Sequence, residues 1–110
     1  MLLFGRGNLT RYNKAVRDNI PEIIKESGKN CNVKKLKDSE FLVELEKKLI
    51  EELTEYQESK DVEELADILE VVYRISELKG ITSDELDLIK NEKAKKRGKF
   101  ADNLFLVDMD

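Results

Sequence analysis

SEFLVELEKKLIEELTEYQESKDVEELADILEVVYRISELKG, residues 39 to 80, decides the fold of this chain. Phe41, Leu42, Leu45, Leu49, Leu53 and Tyr56 recur at spacings of three and four, the period of an amphipathic helix. The pattern predicts a helix to about Glu58, capped by Asp38 or Ser39. A second pattern opens near Asp61, carries Leu65, Ile68, Leu69, Val72 and Ile75 as its main stripe, and closes at Gly80, a residue suited to the left-handed position past a helix end. The link between the two is very short. It predicts antiparallel neighbours, with the last turns of the first helix beside the first turns of the second.

Upstream, Ile20-Pro21-Glu22-Ile23-Ile24 followed by Ser27 and Gly28 marks a short helix with proline in its first turn and glycine beyond its end. From Gly28 to Asp38 the chain is polar and lysine-rich with only Val33 and Leu36 as apolar anchors, a partly extended connection in which Cys31 reads as an ordinary loop thiol. Downstream, Thr82 and Glu85 form a capping-box pattern, Leu86, Ile89 and Ala94 give a thinner apolar stripe, and Gly98 ends a strongly basic last turn. Phe100 to Val107 alternates loosely and reads as a short strand or an extended arm packed on the bundle. The expectation is one all-α domain over residues 1–110: a small helical bundle with a central antiparallel helix hairpin, a short extended C-terminal tail, and residues 1–11 as a leader.

Composition agrees with that class and removes several chemistries. A chain of 110 residues supports one core, and 40% charged with 6% aromatic residues suits exposed helices better than a sandwich of sheets. With no histidine and one cysteine, intramolecular disulfides, thiolate zinc clusters and imidazole bases are excluded. The net charge of −4 and the absence of a strongly basic character argue against nucleic-acid binding. Met1 to Phe4 is too short for a signal or membrane segment, so a cytoplasmic location without membrane association is expected.

The chemistry lies in Glu51, Glu52 and Glu55 on the first long helix and Glu64 and Asp67 on the second. On a helical wheel Glu52 falls inside the arc of Phe41, Leu45, Leu49 and Tyr56, Glu55 lies at its margin, and Glu51 points further away. Glu64 and Asp67 share a secondary apolar row with Val71, Ile75 and Leu78. The antiparallel link brings both pairs together. Buried carboxylates side by side are costly unless cations stand between them, and no lysine or arginine in these stretches is obviously placed to neutralise all four. Oxygen ligands without histidine or cysteine select magnesium, with manganese as a substitute. Two such ions would cancel the quartet, and Glu52 or Glu55 is the candidate general base beside metal-bound hydroxide. The rival reading makes these residues a solvated acidic face paired with Lys47, Lys48 and Lys60 across helix turns.

Glu51-Glu52-x-x-Glu55 followed by Glu64-x-x-Asp67 resembles the all-α nucleotide pyrophosphohydrolases of the MazG type, a superfamily that includes dimeric dUTPases and phosphoribosyl-ATP pyrophosphohydrolase. Tyr12-Asn13-Lys14 with Val16-Arg17-Asp18, Ile20-Pro21-Glu22-Ile23-Ile24, and the closing Lys96-Arg97-Gly98-Lys99-Phe100 look like the opening and ending of one small MazG-like subfamily. The chain departs from that pattern at Ala15 and Asn19, where a larger apolar residue and a lysine would stand. The resemblance implies that Glu52, Glu55, Glu64 and Asp67 coordinate magnesium and that Glu51 assists from an outer shell. It implies that water attacks a nucleoside triphosphate between its α- and β-phosphates, releasing a monophosphate and pyrophosphate, and that Lys14, Arg17, Lys95 and Arg97 contact phosphates. The physiological role would be the clearing of non-standard or excess nucleotides; a phosphoribosyl-ATP pyrophosphohydrolase of histidine biosynthesis is the alternative enzyme, and a non-catalytic helical interaction module the alternative outside enzymes. The wide apolar arc of the second long helix predicts a homo-oligomer, most simply a dimer.

Overall fold

The computed structural model describes residues 10–110, and among these it contains four helices and no strand. The expected leader over residues 1–11 falls almost wholly outside the described residues. Helix α1 spans Ile20–Glu26, with Pro21 in its first turn and Gly28 beyond its end at φ +87°. Helix α2 spans Asp38–Ser59. Its cap position is held by Lys37 rather than the expected Asp38 or Ser39. Lysine carries no side-chain acceptor, so the start is secured from the other direction: Glu40 accepts the Lys37 backbone N–H at 3.2 Å, and Asp38 and Glu40 place negative charge on the first turn.

Lys60 adopts the left-handed conformation at φ 59°, which turns the chain out of α2, and Asp61 at once caps helix α3, Val62–Leu78, by accepting the Glu63 N–H at 3.0 Å. The far end of α3 closes as a Schellman turn. Gly80 at φ +87° donates to the Glu77 carbonyl at 2.9 Å and Ile81 to the Ser76 carbonyl at 3.0 Å. Helix α4, Ser83–Arg97, opens on a complete capping box between Thr82 and Glu85, as the sequence predicts.

Helices α2 and α3 pack on each other, and α4 packs on α3. The buried apolar residues Leu45 of α2, Val71 of α3 and Ala15 of the segment before α1 form one cluster, flanked by Phe41, Leu49, Ile75 and Leu78. Ala15 seats the segment before α1 on α2 and α3. The inward face of α3 draws on both expected rows, with Ile75 common to the two and Ile68 and Val72 half-buried. Val71, Ile75 and Leu78 turn inward, whereas Leu65 and Leu69 of the supposed main stripe are exposed. On α2, Leu53 is exposed as well. Two ties hold α4 to α3: the Tyr73 hydroxyl donates to Asp87 Oδ1 at 3.1 Å, and the Ser76 hydroxyl donates to the Ile81 carbonyl at 2.8 Å.

The tail corrects its prediction. Phe100 to Val107 forms no strand, and Phe100, Leu104, Phe105, Leu106 and Val107 are exposed rather than packed on the helices. A strand needs a partner edge for its backbone groups, and among the described residues there is none. No helix among the described residues is long and apolar enough to cross a membrane.

Candidate metal centre

The last turns of α2 carry Glu51, Glu52 and Glu55, and the first turns of α3 carry Glu64 and Asp67. Because Glu64 and Asp67 are three residues apart, they project from one face of α3. Glu52 comes from the inward side of α2, one helical turn on from Lys48 and two from Leu45. One carboxylate oxygen from each of Glu52, Glu64 and Asp67 lies within 4.8 Å of the others.

Glu52 is the unusual member. It is 6% exposed, one of its oxygens lies 3.3 Å from Lys48 Nζ, and Oε2 is buried with no hydrogen-bond partner. Burial pushes its carboxyl above the ordinary glutamate range, the Lys48 ammonium pulls it back, and the negative charges of Glu55 and Asp67 push it up further. Glu64 is raised too, by loss of hydration first and then by Glu55, Asp67 and Glu52. Glu55 stands outside the group of three and is exposed, close enough to act on both neighbours through its charge. The expected quartet is therefore three converging carboxylates with a fourth at the rim.

Three cations border the cluster. Lys14 donates to Glu51 Oε1 at 2.9 Å, Arg17 donates to Asp67 Oδ1 at 2.6 Å, and Lys48 reaches Glu51 at 3.2 Å as well as Glu52. The Lys14 bond is the main reason that the Glu51 carboxyl is held below, and the Lys14 ammonium above, its ordinary value. Within the two helical stretches Lys48 alone reaches the cluster, and it neutralises only part of it, as the sequence predicts. Among the described residues neither Glu55 nor Glu64 has an ion-pair partner. Lys14 and Arg17 arrive from outside both helices, on the segment that Ala15 anchors. Lys48 was legible only as a pairing partner for a solvated face. Its stronger signal is its spacing of three and four from Glu51 and Glu52 together with its place beside Leu45 and Leu49.

The solvated-face reading accounts for the pairing of Lys48 with Glu51 and Glu52 across helix turns, but Glu52 is buried rather than solvated. Lys47 pairs with Glu44 at 3.2 Å, and Lys60 lies 5.9 Å from the Tyr56 ring centroid instead of on a carboxylate. Lys95 and Arg97 lie in the last turn of α4, where Lys95 pairs with Glu92 at 3.5 Å. Neither is bonded to the carboxylate cluster. Cys31 is an exposed free thiol.

The donor set fits a hard divalent cation. It offers carboxylate oxygens alone, one of them buried, ionisable and without a partner, which is the feature a cation would satisfy. Comparison of the chain with family models, with curated proteins and with solved structures returned no match.

Proposed function

We propose that the chain is a magnesium-dependent nucleotide pyrophosphohydrolase, built on an antiparallel α2–α3 hairpin of the MazG type, that cleaves a nucleoside triphosphate between its α- and β-phosphates. The observation that carries this reading is Glu52, which is buried with one oxygen unpartnered and has a carboxylate oxygen within 4.8 Å of those of Glu64 and Asp67. Glu52, Glu64 and Asp67 would hold the ion, with Glu55 completing the set from the rim and Glu51 steadied behind it by Lys14 and Lys48. Such an ion supplies polarisation of phosphoryl oxygens and an acidified water.

The chain's own groups divide the remaining work. Glu52 is buried with one oxygen near Lys48, whereas Glu55 is exposed and unpaired among the described residues. Glu55 is thus the better placed of the two candidate bases to take a proton from an attacking water. Lys14 and Arg17 at the rim present positive charge to a polyanionic substrate, and their present partners Glu51 and Asp67 fix where that charge sits. Without such cations a triphosphate would be repelled by the acidic site.

The reading extends to a homodimer. The Cα radius of gyration is 19.2 Å, against about 13 Å for a compact chain of this length. Val43, Ile50, Leu53, Val62, Leu65 and Leu69 form exposed apolar surface along α2 and α3. A second copy would cover that surface and close walls around a site that one chain leaves open. Sedimentation equilibrium is expected to show a dimer at micromolar concentration; a monomer would remove this part of the proposal.

The decisive experiment is a panel of ribo- and deoxyribonucleoside triphosphates with magnesium, run with the wild-type chain and Glu52→Gln, with identification of products. Monophosphate and pyrophosphate are expected from the wild type and neither from the variant. Diphosphate and orthophosphate would contradict the bond assignment. No turnover, together with no stabilisation by magnesium, would leave a non-catalytic helical interaction module as the reading.

A further inference from the structure

The fold leaves an acidic apolar segment and a basic apolar groove uncovered on the same chain. After α4 ends at Gly98, Phe100, Leu104, Phe105, Leu106, Val107 and Met109 are each at least 75% exposed, and Asp102, Asp108 and Asp110 are interspersed among them. On α4, an open groove is lined by the exposed Leu88 and Ile89 together with Lys93, Lys96 and Arg97. Its one acid, Glu92, is already bonded to Lys95. Apolar surface and opposite charge thus occur on both sides of a contact that the chain does not make with itself.

We propose that residues 100–107 are an exchange arm, which docks in the α4 groove of a second copy while that copy's arm docks reciprocally. The arm's Asp102, with Asp108 just beyond the arm, then lies against the basic side chains of the groove, and Phe100 and Phe105 supply most of the buried area. Two phenylalanines per arm, at about 150–250 Å² each and doubled by symmetry, remove about 600–1,000 Å². Stable association needs roughly 1,000 Å² in total, so the groove's own apolar surface carries the contact past that threshold. An arm of eight residues reaches about 26 Å when extended, long enough to cross to a neighbour. This inference goes beyond the metal reading and does not depend on it.

Cross-linking tests it directly. In a Cys31→Ser background, Leu88→Cys and Phe105→Cys are prepared as separate chains of distinguishable mass, equilibrated together and oxidised; both positions are exposed, so the fold tolerates them. The expected product is a covalent heterodimer that joins the two variants. A disulfide confined to one chain when both substitutions share it, with no heterodimer in the mixture, would overturn the exchange, as would no cross-link at all. Deletion of residues 100–110 is expected to weaken self-association by about tenfold or more with helical content retained, because the segment forms no helix. Unchanged association after the deletion would also overturn it.

Discussion

Glu52→Gln separates the contribution of a buried charge from that of a metal ligand, because its two effects on stability have opposite signs. Without metal, the wild-type carboxylate keeps one oxygen near Lys48 and leaves the other buried and unpartnered. An unsatisfied buried acceptor costs about 1–3 kcal/mol, more when charged. Glutamine keeps the shape and an acceptor for Lys48, replaces the charged orphaned oxygen by a neutral NH2 group, and removes the repulsion from Glu55 and Asp67. Against this stands the lost charge of the Lys48 pair, about 1 kcal/mol in a partly buried setting. The net expectation in a chelator is a variant more stable by about 1 kcal/mol, or roughly 4 °C in Tm for a domain of this size. Magnesium at about 100 times its Kd then adds ~2.7 kcal/mol to the wild type and little to the variant. The order of melting should therefore reverse between chelator and magnesium when both are followed by far-ultraviolet circular dichroism at one protein concentration. A variant that melts below the wild type in chelator would refute the claim that Glu52 is held at a cost. Equal responses to magnesium would refute its role as a ligand.

The raised carboxyls of Glu52 and Glu64 bind protons more tightly in the folded chain than in the unfolded one, so their contribution to stability is complete below the ordinary glutamate pKa and is lost as pH rises through the raised values. Urea midpoints in chelator should fall across that window, and the stabilisation by magnesium should grow across it as protons cease to compete. The lowered Glu51 acts the other way and at more acid pH, its contribution being lost as pH falls through its depressed value. Lys48→Met removes the cation nearest Glu52 and is expected to destabilise the metal-free chain by about 2 kcal/mol at neutral pH; saturating magnesium should recover part of that loss, and a loss identical in both conditions would assign Lys48 to packing alone. Gly80→Ala places a Cβ on a residue at φ +87° within the Schellman turn, and an unfolding titration should register a loss of about 1 kcal/mol.

The helices were legible because their signals are local. Thr82 and Glu85 close a capping box within one turn, Gly80 sits where only a left-handed residue ends α3 without strain, and the stripe from Phe41 to Leu49 has a single facing that buries it. What misled was whatever depends on a neighbour. Leu65 and Leu69 form the stronger-looking stripe of α3, but facing is set by what α2 and Ala15 offer, and these take Val71, Ile75 and Leu78. The same limit hid the Lys14 and Arg17 pairings, which span 37 and 50 positions of sequence. Lys37 took the cap of α2 against its side-chain chemistry because Glu40 could supply the acceptor. The run from Leu104 to Val107 has strand-like composition in a chain that offers it no edge.

The charge balance then narrows what the centre can hold. Glu51, Glu52, Glu55, Glu64 and Asp67 bring five negative charges, and Lys14, Arg17 and Lys48 bring three positive ones, all close enough to pair or to shift one another. Two negative charges are left over, the charge of one divalent ion rather than of the two that the bare carboxylate quartet demanded. A solvated acidic face could leave that excess to water and salt, since exposed charges a few ångströms apart are cheaply screened. Glu52 cannot use that route, being 6% exposed. Its orphaned oxygen is also the point at which the residual charge is least hydrated, so a cation entering among Glu52, Glu64 and Asp67 relieves desolvation and repulsion together. The case for a metal therefore rests on where one oxygen is placed, and the number of acids around it sets only how much charge the metal should carry.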